Sequence, residues 1–232
     1  MRAPESASAA AALAPLLSEE ERQRAGHLRR DPDRYRYVAA RACLRVTLSE
    51  ILMRAPAEIP IRIGALGAPT LDGPLGGPAF SLSHAGAWVV VAVGGARALG
   101  VDVESLPGRN EEAEPGKRSP EPGVRGTSEH DREVLEWVGK EAVLKALGCG
   151  LALDPDRIGI ALRGDGRFDI RRLPPGILRP SGLFAARVSA PPGYAAALAV
   201  IAVEGALELT VTERWRSGAD PAFQGLPGRA GA

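Results

Sequence analysis

The stretch from Ala79 to Glu104 restricts the fold more than any other part of this chain. It contains three strand-like runs, Ala79–His84, Ala87–Val93 and Ala98–Val103, with Gly94-Gly95 marking a turn between the last two. The middle run, Trp88-Val89-Val90-Val91-Ala92-Val93, is apolar on both faces, so it is expected to be central or covered. The third run closes on Val101-Asp102-Val103-Glu104, which places two carboxylates at i and i+2. Side chains alternate along a strand, so Val101 and Val103 should enter the core while Asp102 and Glu104 share the other face. Carboxylates this close repel each other and require a cation or full solvation. An oxygen-only ligand set suits Mg²⁺, which takes one or two carboxylates together with substrate phosphate oxygens. A solvated strand end before a loop is the plainer alternative.

A second segment bears on the same chemistry. Trp137-Val138-Gly139-Lys140-Glu141-Ala142-Val143-Leu144-Lys145-Ala146-Leu147-Gly148 reads as the later part of a helix that begins near Asp131 and is stopped by Gly148. Leu135, Val138, Ala142 and Ala146 fall on one side, and Trp137, Glu141 and Lys145 on another, with Lys140 beside them. In isolation Glu141 and Lys145 read equally well as a surface i,i+4 ion pair. Were this helix to meet the Asp-x-Glu strand, three carboxylates rimmed by cations would face a phosphate-bearing ligand. Ser83-His84-Ala85-Gly86 adds a histidine at a strand end before a tight turn, placed to bind a phosphate or to satisfy a nearby carbonyl.

Elsewhere the local signals are ordinary. Ser18 with Glu21 forms a capping-box pattern ahead of a helix of about two turns. A longer helix is expected from about Pro32 to Leu52, with Arg34, Arg36, Arg41 and Arg45 on or beside a solvated basic face. Residues 1–12 read as disordered or weakly structured, Ile61-Arg62-Ile63 as a short strand and 64–78 as a Gly/Pro-rich loop. Residues 107–133 carry only Ala113 and Val124 as aliphatic side chains, too little apolar surface to offset ordering entropy, and a mobile loop is expected there. Further strands are expected at Ile158–Leu162, Arg167–Ile170, Leu183–Val188, Tyr194–Val203 and Leu207–Val211, followed by a disordered tail over 216–232. No internal repeat is visible in the sequence.

Composition removes several function classes. A formal net charge of +1 provides no broad field for nucleic acid or an anionic membrane, so any phosphate binding must be local. Cys43 and Cys149 are too few for a disulfide framework and read as packing residues. There is no apolar run long enough to span a bilayer, and Glu5 interrupts the basic start of a signal peptide, so a cytoplasmic protein is expected. Gly-x-Ser-x-Gly, P-loop, Gly-x-Gly-x-x-Gly and zinc-spaced Cys/His patterns are absent.

The order of the motifs says more than any one of them. Leu17-Ser18-Glu19-Glu20-Glu21-Arg22, Arg36-Tyr37-Val38-Ala39-Ala40-Arg41, Phe80 to Gly86, Gly100 to Glu104, Trp137 to Leu151 and Pro192 to Ala197 together resemble the Sfp-type 4′-phosphopantetheinyl transferases. The resemblance implies an α+β fold, a pseudo-dimer of two similar halves, each a small antiparallel sheet with helices, with the site between them. The halves would be 1–105 and 106–215. It implies an enzyme that moves the phosphopantetheine arm of coenzyme A to a serine of an apo acyl- or peptidyl-carrier protein, leaving 3′,5′-ADP. Asp102, Glu104 and Glu141 would hold Mg²⁺, with Asp102, Glu141 and Lys145 catalytic and Glu141 a candidate base. Arg36, Ser83, His84, Lys140 and Lys145 would bind coenzyme A, Arg36 and His84 at its 3′-phosphate. A monomer without nucleic-acid or membrane partners is expected. Three features depart from the family pattern: the polar 107–133 segment, Gly67-Ala68-Pro69 in place of Gly-Lys-Pro, and no visible first strand in residues 1–12; the first keeps open a non-catalytic coenzyme A- or carrier-binding protein degenerate in that segment.

Overall fold

In the computed structural model, residues 1–64, 68–71, 77–107, 129–149 and 153–204 are described. They form an α+β protein of four α-helices and nine short strands in small antiparallel sheets. Helices α1 (Ala7–Leu13), α2 (Glu19–Gly26) and α3 (Asp31–Leu52) come first. Strands β1 (Ile61–Ile63), β2 (Pro69–Leu71), β3 (Ala79–Ala85), β4 (Trp88–Gly94) and β5 (Ala98–Ser105) follow. Then come α4 (Glu129–Ala146), β6 (Gly159–Leu162), β7 (Phe168–Arg172), β8 (Leu183–Val188) and β9 (Tyr194–Ile201).

Local chemistry sets the helix ends. At α2 the capping box closes as expected: Ser18 Oγ accepts from Glu21 N at 3.3 Å, and a Glu21 carboxylate oxygen accepts from Ser18 N at 3.2 Å. Helix α3 begins at Asp31-Pro32, where proline lacks only a donor the first turn cannot use, and two acids face the helix N-terminus. One stripe of α3, including Val38, Ala39, Ala42 and Val46, packs with Leu13, Leu17 and Val89. Leu44 and Leu48 pack with Ile59 toward Phe80 and Val93. Each fully buried Val or Leu contributes roughly 1.5–3 kcal/mol. Cys43 is buried in this packing.

Two elements depart from expectation because of tertiary pairing. Residues 1–12 are structured. Met1 and Ala3 are buried, Met1 N donates to Val89 O at 2.7 Å, Val89 N to Met1 O at 2.8 Å and Ala3 N to Ala87 O at 2.7 Å. The open edge of β4 thus supplies hydrogen bonds that a reading of residues 1–12 alone could not anticipate. Strand β5, in turn, does not continue the β3–β4 hairpin after Gly94-Gly95. It pairs antiparallel with β9, which also pairs with β8. Strand β2, in the expected loop 64–78, pairs with β1.

The element order repeats. Residues 1–3 lie antiparallel to β4, with α3, the β1–β2 pair and the β3–β4 hairpin between. Strand β5 lies antiparallel to β9, with α4, the β6–β7 pair and β8 between. In the second set α4 covers the sheet, packing Leu135, Val138, Ala142 and Val143 against Ala195, Ala197 and Ala199. The contact is close: a Cβ on Gly100 would stand 1.9 Å from Ala142 O and 2.5 Å from Ala146 N. Only glycine lets α4 lie this near β5. Helix α4 ends at Gly148, whose φ of 72° is left-handed.

Most of the expected mobile loop, 108–128, the Leu207–Val211 strand and the 216–232 tail lie outside the described residues. No helix among the described residues is long and apolar enough to cross a membrane.

Candidate active site

The candidate site forms where β3, β5 and α4 meet. Asp102 on β5 is only 4% exposed, so it does not point away from the core as strand alternation suggested. The cause is β3, which lies along that face and presents Ser81 and Ser83. These strands are joined by hydroxyls: Ser81 Oγ accepts from Val101 N at 3.0 Å, and Ser83 Oγ donates to Asp102 Oδ1 at 2.7 Å. From the last turn of α4, Lys145 Nζ donates to the same Oδ1 at 2.6 Å and to Val101 O at 3.1 Å. Asp102 Oδ2 is buried and has no hydrogen-bond partner. An unpaired buried carboxylate oxygen is costly and rare, which makes this one a mark of incomplete satisfaction.

Glu104 and Glu141 complete the cluster. Burial holds the Glu104 carboxyl above its ordinary pKa, and the Asp102 charge raises it further, with Glu141 adding to the effect and Lys145 opposing it. Burial also raises Glu141, again with Asp102 adding and Lys145 opposing. The Asp102 charge thus acts on both glutamates. Among the described residues no three His, Cys, Asp or Glu side chains stand together as a ready metal cage. Lys145, seated on Asp102 Oδ1, is the cation the cluster has. The donor set nevertheless fits Mg²⁺: it is all oxygen, it is mutually repelling and it includes one bare buried oxygen.

The expected phosphate-binding residues divide into groups. Arg36 and His84 come together: Arg36 Nη1 donates to Gly86 O at 3.4 Å in the turn that follows His84. Arg36 also pairs with Asp33, and its Nε is buried with no partner. His84 is exposed in area, yet crowding around its ring lowers its pKa below 6.5, and the Arg36 and Lys145 charges press in the same direction. A neutral imidazole next to a cation is what an anion would recharge. Ser83 is engaged with Asp102, and Lys140 is held at 3.0 Å by exposed Asp156. Trp137 remains 41% exposed on α4.

Sequence reasoning passed over Ser81 and Gly100. The signal for Ser81 was present, since Ser81 and Ser83 are spaced i and i+2 in an otherwise apolar strand. Gly100 needed the helix in place before its lack of a side chain had meaning. Arg41 and Arg45 are not on a solvated face. Arg45 is 1% exposed, with Nε on Glu21 Oε2 at 2.5 Å and Nη1 on Pro56 O at 2.6 Å and Ile59 O at 3.0 Å. The helix face expected to meet water is covered by α2 and the turn at Pro56.

Comparison with known proteins gives a consistent result. Residues 98–199 match the family model of the 4′-phosphopantetheinyl transferase superfamily. A phosphopantetheinyl transferase of Thraustochytrium sp. is 32% identical over 170 residues, which cover 63% of this chain and 57% of the relative. A chain of Synechocystis sp. is 28% identical over 145 residues, 59% of each chain. A 4′-phosphopantetheinyl transferase of Bacillus subtilis is 27% identical over 165 residues, 69% of this chain and 72% of the relative. The match thus spans less than two thirds of the first two relatives' length.

Proposed function

We propose, on the match of residues 98–199 to the family model of the 4′-phosphopantetheinyl transferase superfamily, that the protein transfers the 4′-phosphopantetheine arm of coenzyme A to a serine of an apo acyl- or peptidyl-carrier protein. The observation that carries this reading is Asp102, anchored through Oδ1 by Lys145 and Ser83 while the buried Oδ2 stays bare. Asp102, Glu104 and Glu141 would hold Mg²⁺, which when bound neutralises charge developing on the pyrophosphate. Lys145 supplies a further positive charge to the same oxygens, with Lys140 close by along α4. Arg36 and His84 take the 3′-phosphate of coenzyme A.

In the transfer the carrier serine Oγ forms a bond to the β-phosphorus. The bond from that phosphorus to the bridging oxygen breaks, and 3′,5′-ADP leaves. The serine proton needs an acceptor, and Glu141, whose raised pKa makes it a better base than an ordinary glutamate, is suited to take it. The repeated element order supports a pseudo-dimer of two α+β halves, with β5 closing the first half and the site where β3 and β5 of the first half meet α4 of the second. The halves fall at about 1–105 and 106–215. A monomeric cytoplasmic enzyme fits this arrangement.

Incubation with coenzyme A, Mg²⁺ and an apo-carrier protein tests the reading by mass spectrometry of the carrier. A mass gain equal to the phosphopantetheine arm is the expected result. An unmodified carrier in the presence of bound coenzyme A would overturn it in favour of a binding protein.

A further inference from the structure

Three features of β3 and β5 are unexplained by the reaction as written. The strands run side by side without a backbone ladder between them, Ser83 is buried rather than open to ligand, and one Asp102 oxygen receives two donors while the other receives none. A serine that served a phosphate would keep its hydroxyl available to solvent. Here the hydroxyl proton is committed to a carboxylate at 2.7 Å, a charge-assisted bond stronger than a neutral one.

We propose that Ser83 is a positioning residue, which acts from β3 through Asp102 on β5 to present Asp102 Oδ2 to the metal. The inference rests on the metal site proposed above. With both Ser83 Oγ and Lys145 Nζ on Oδ1, rotation of the carboxylate would break two hydrogen bonds at once, so Oδ2 is held as a single-oxygen ligand. Lys145 alone could not fix this. Its ammonium ends a flexible stem and is 27% exposed, and the proposed ligand draws on its charge. Ser83 sits on a strand held along its length by antiparallel pairing with β4. The metal affinity of the site therefore depends on a side chain of the neighbouring strand. Groups that orient metal ligands commonly cost about 10–100-fold in affinity when removed.

The test uses Mn²⁺ as probe, read by its solution electron paramagnetic resonance signal, and isothermal titration of coenzyme A in the absence of divalent ions. Ser83→Ala is expected to weaken Mn²⁺ by about 10–100-fold while leaving metal-free coenzyme A affinity within about twofold. Ser81→Ala serves as the structural comparison. It leaves Val101 N without a partner and lowers the melting temperature, but keeps Mn²⁺ affinity within about threefold. Ser83→Ala that retains Mn²⁺ affinity but loses metal-free coenzyme A binding would overturn the assignment and return Ser83 to the phosphate. Equal Mn²⁺ losses in the two variants would also overturn it, by reducing the effect to strand packing. Should the unaltered protein fail to bind Mn²⁺, the metal reading itself falls, which is distinguishable from failure of the Ser83 assignment alone.

Discussion

Two acid–base pairs among the described residues, Glu21 with Arg45 and Asp102 with Lys145, are built on opposite plans. In the first half, Glu21 receives Arg45 Nε at 2.5 Å and Ser18 N at 3.2 Å, with Arg41 Nε 3.8 Å away. Arg45 spends its remaining capacity on the Pro56 and Ile59 carbonyls. The pair joins α2, α3 and the Pro56 turn, and neither Glu21 nor Arg45 leaves a buried side-chain atom without a partner, although Arg41 Nη1 beside them does. At the candidate site, Asp102 and Lys145 leave one carboxylate oxygen bare, with two more carboxylates held above their ordinary pKa nearby. Burial alone therefore says little about role. A buried charge whose partners are complete holds the fold, whereas one whose partners are incomplete is waiting for a ligand.

Removing one acid from each pair should separate these roles most strongly. Glu21→Ala strands the Arg45 guanidinium, at 1% exposure, and should cost about 3–5 kcal/mol of stability by urea denaturation, with any remaining folded protein still binding coenzyme A. Asp102→Ala should cost far less stability, because it also removes repulsion at Glu104 and Glu141, and Lys145 can turn to water. It should lower transfer by at least about 100-fold, the scale for losing one group that stabilises transition-state charge. If the two variants lost stability equally, the contrast between the pairs would be void.

Next in size is the proposed 3′-phosphate contact of Arg36. Arg36 has an unpartnered buried Nε and a neighbour, His84, whose pKa is lowered. Arg36→Ala should weaken coenzyme A by about 10–100-fold, the worth of a charge-assisted hydrogen bond, and dephospho-coenzyme A much less. Equal losses for both ligands would remove the 3′-phosphate role.

A smaller effect should appear in the pH dependence of stability without metal. Glu104 and Glu141 have folded pKa values above their ordinary 4.5. Their contribution is complete below that value and is lost as pH rises through the raised values, because the native state binds more protons in that window. His84 works the other way: its contribution is present above 6.5 and is lost as pH falls through its lowered value. Asp102 raises both glutamates but is not among the causes at His84. Asp102→Asn should therefore flatten the carboxylate part of the curve and leave the histidine part. Thermal melts of the two proteins from pH 7 downward measure the difference, and parallel curves would show that the three carboxylates are not coupled.

How much of this could be read from sequence follows the same division. The saturated features were legible where they were local: the capping box at Ser18 and Glu21, the extent of α3, and the stop of α4 at Gly148. They were not legible where saturation came from far along the chain. Arg45 reads as one cation in a basic run until α2 and Pro56 cover it, and Met1 and Ala3 read as a weak terminus until β4 offers its edge. The repeated order of elements leaves no trace in residue identity, since pairing and packing, not particular side chains, reproduce it. The site was legible in part because its chemistry concentrates in short spacings, Asp102 with Glu104 and Glu141 with Lys145. The orientation of Asp102 depends on Ser83, on another strand and 19 residues away, which no local pattern reports.

A third ion pair, the weakest, completes the comparison. Lys140 holds Asp156 at 3.0 Å, with the aspartate side chain 79% exposed. Pairs of this kind contribute about 0–1 kcal/mol. Asp156→Ala should therefore leave the melting temperature almost unchanged. Its use is to free Lys140, one residue from Glu141 on α4. If Lys140 serves the phosphates of coenzyme A, releasing it should hold or slightly raise affinity, by no more than about threefold, and Lys140→Ala should lower affinity in a manner that added salt diminishes. If Lys140 is purely a surface charge, neither variant should change a coenzyme A titration, and the cations of the site reduce to Arg36 and Lys145. The discriminating measurement is the pair of titrations at low and high ionic strength. A marked loss of stability in Asp156→Ala would place this exposed pair with Glu21 and Arg45, against its exposure, and the expectation that solvent limits what such a pair contributes would fail.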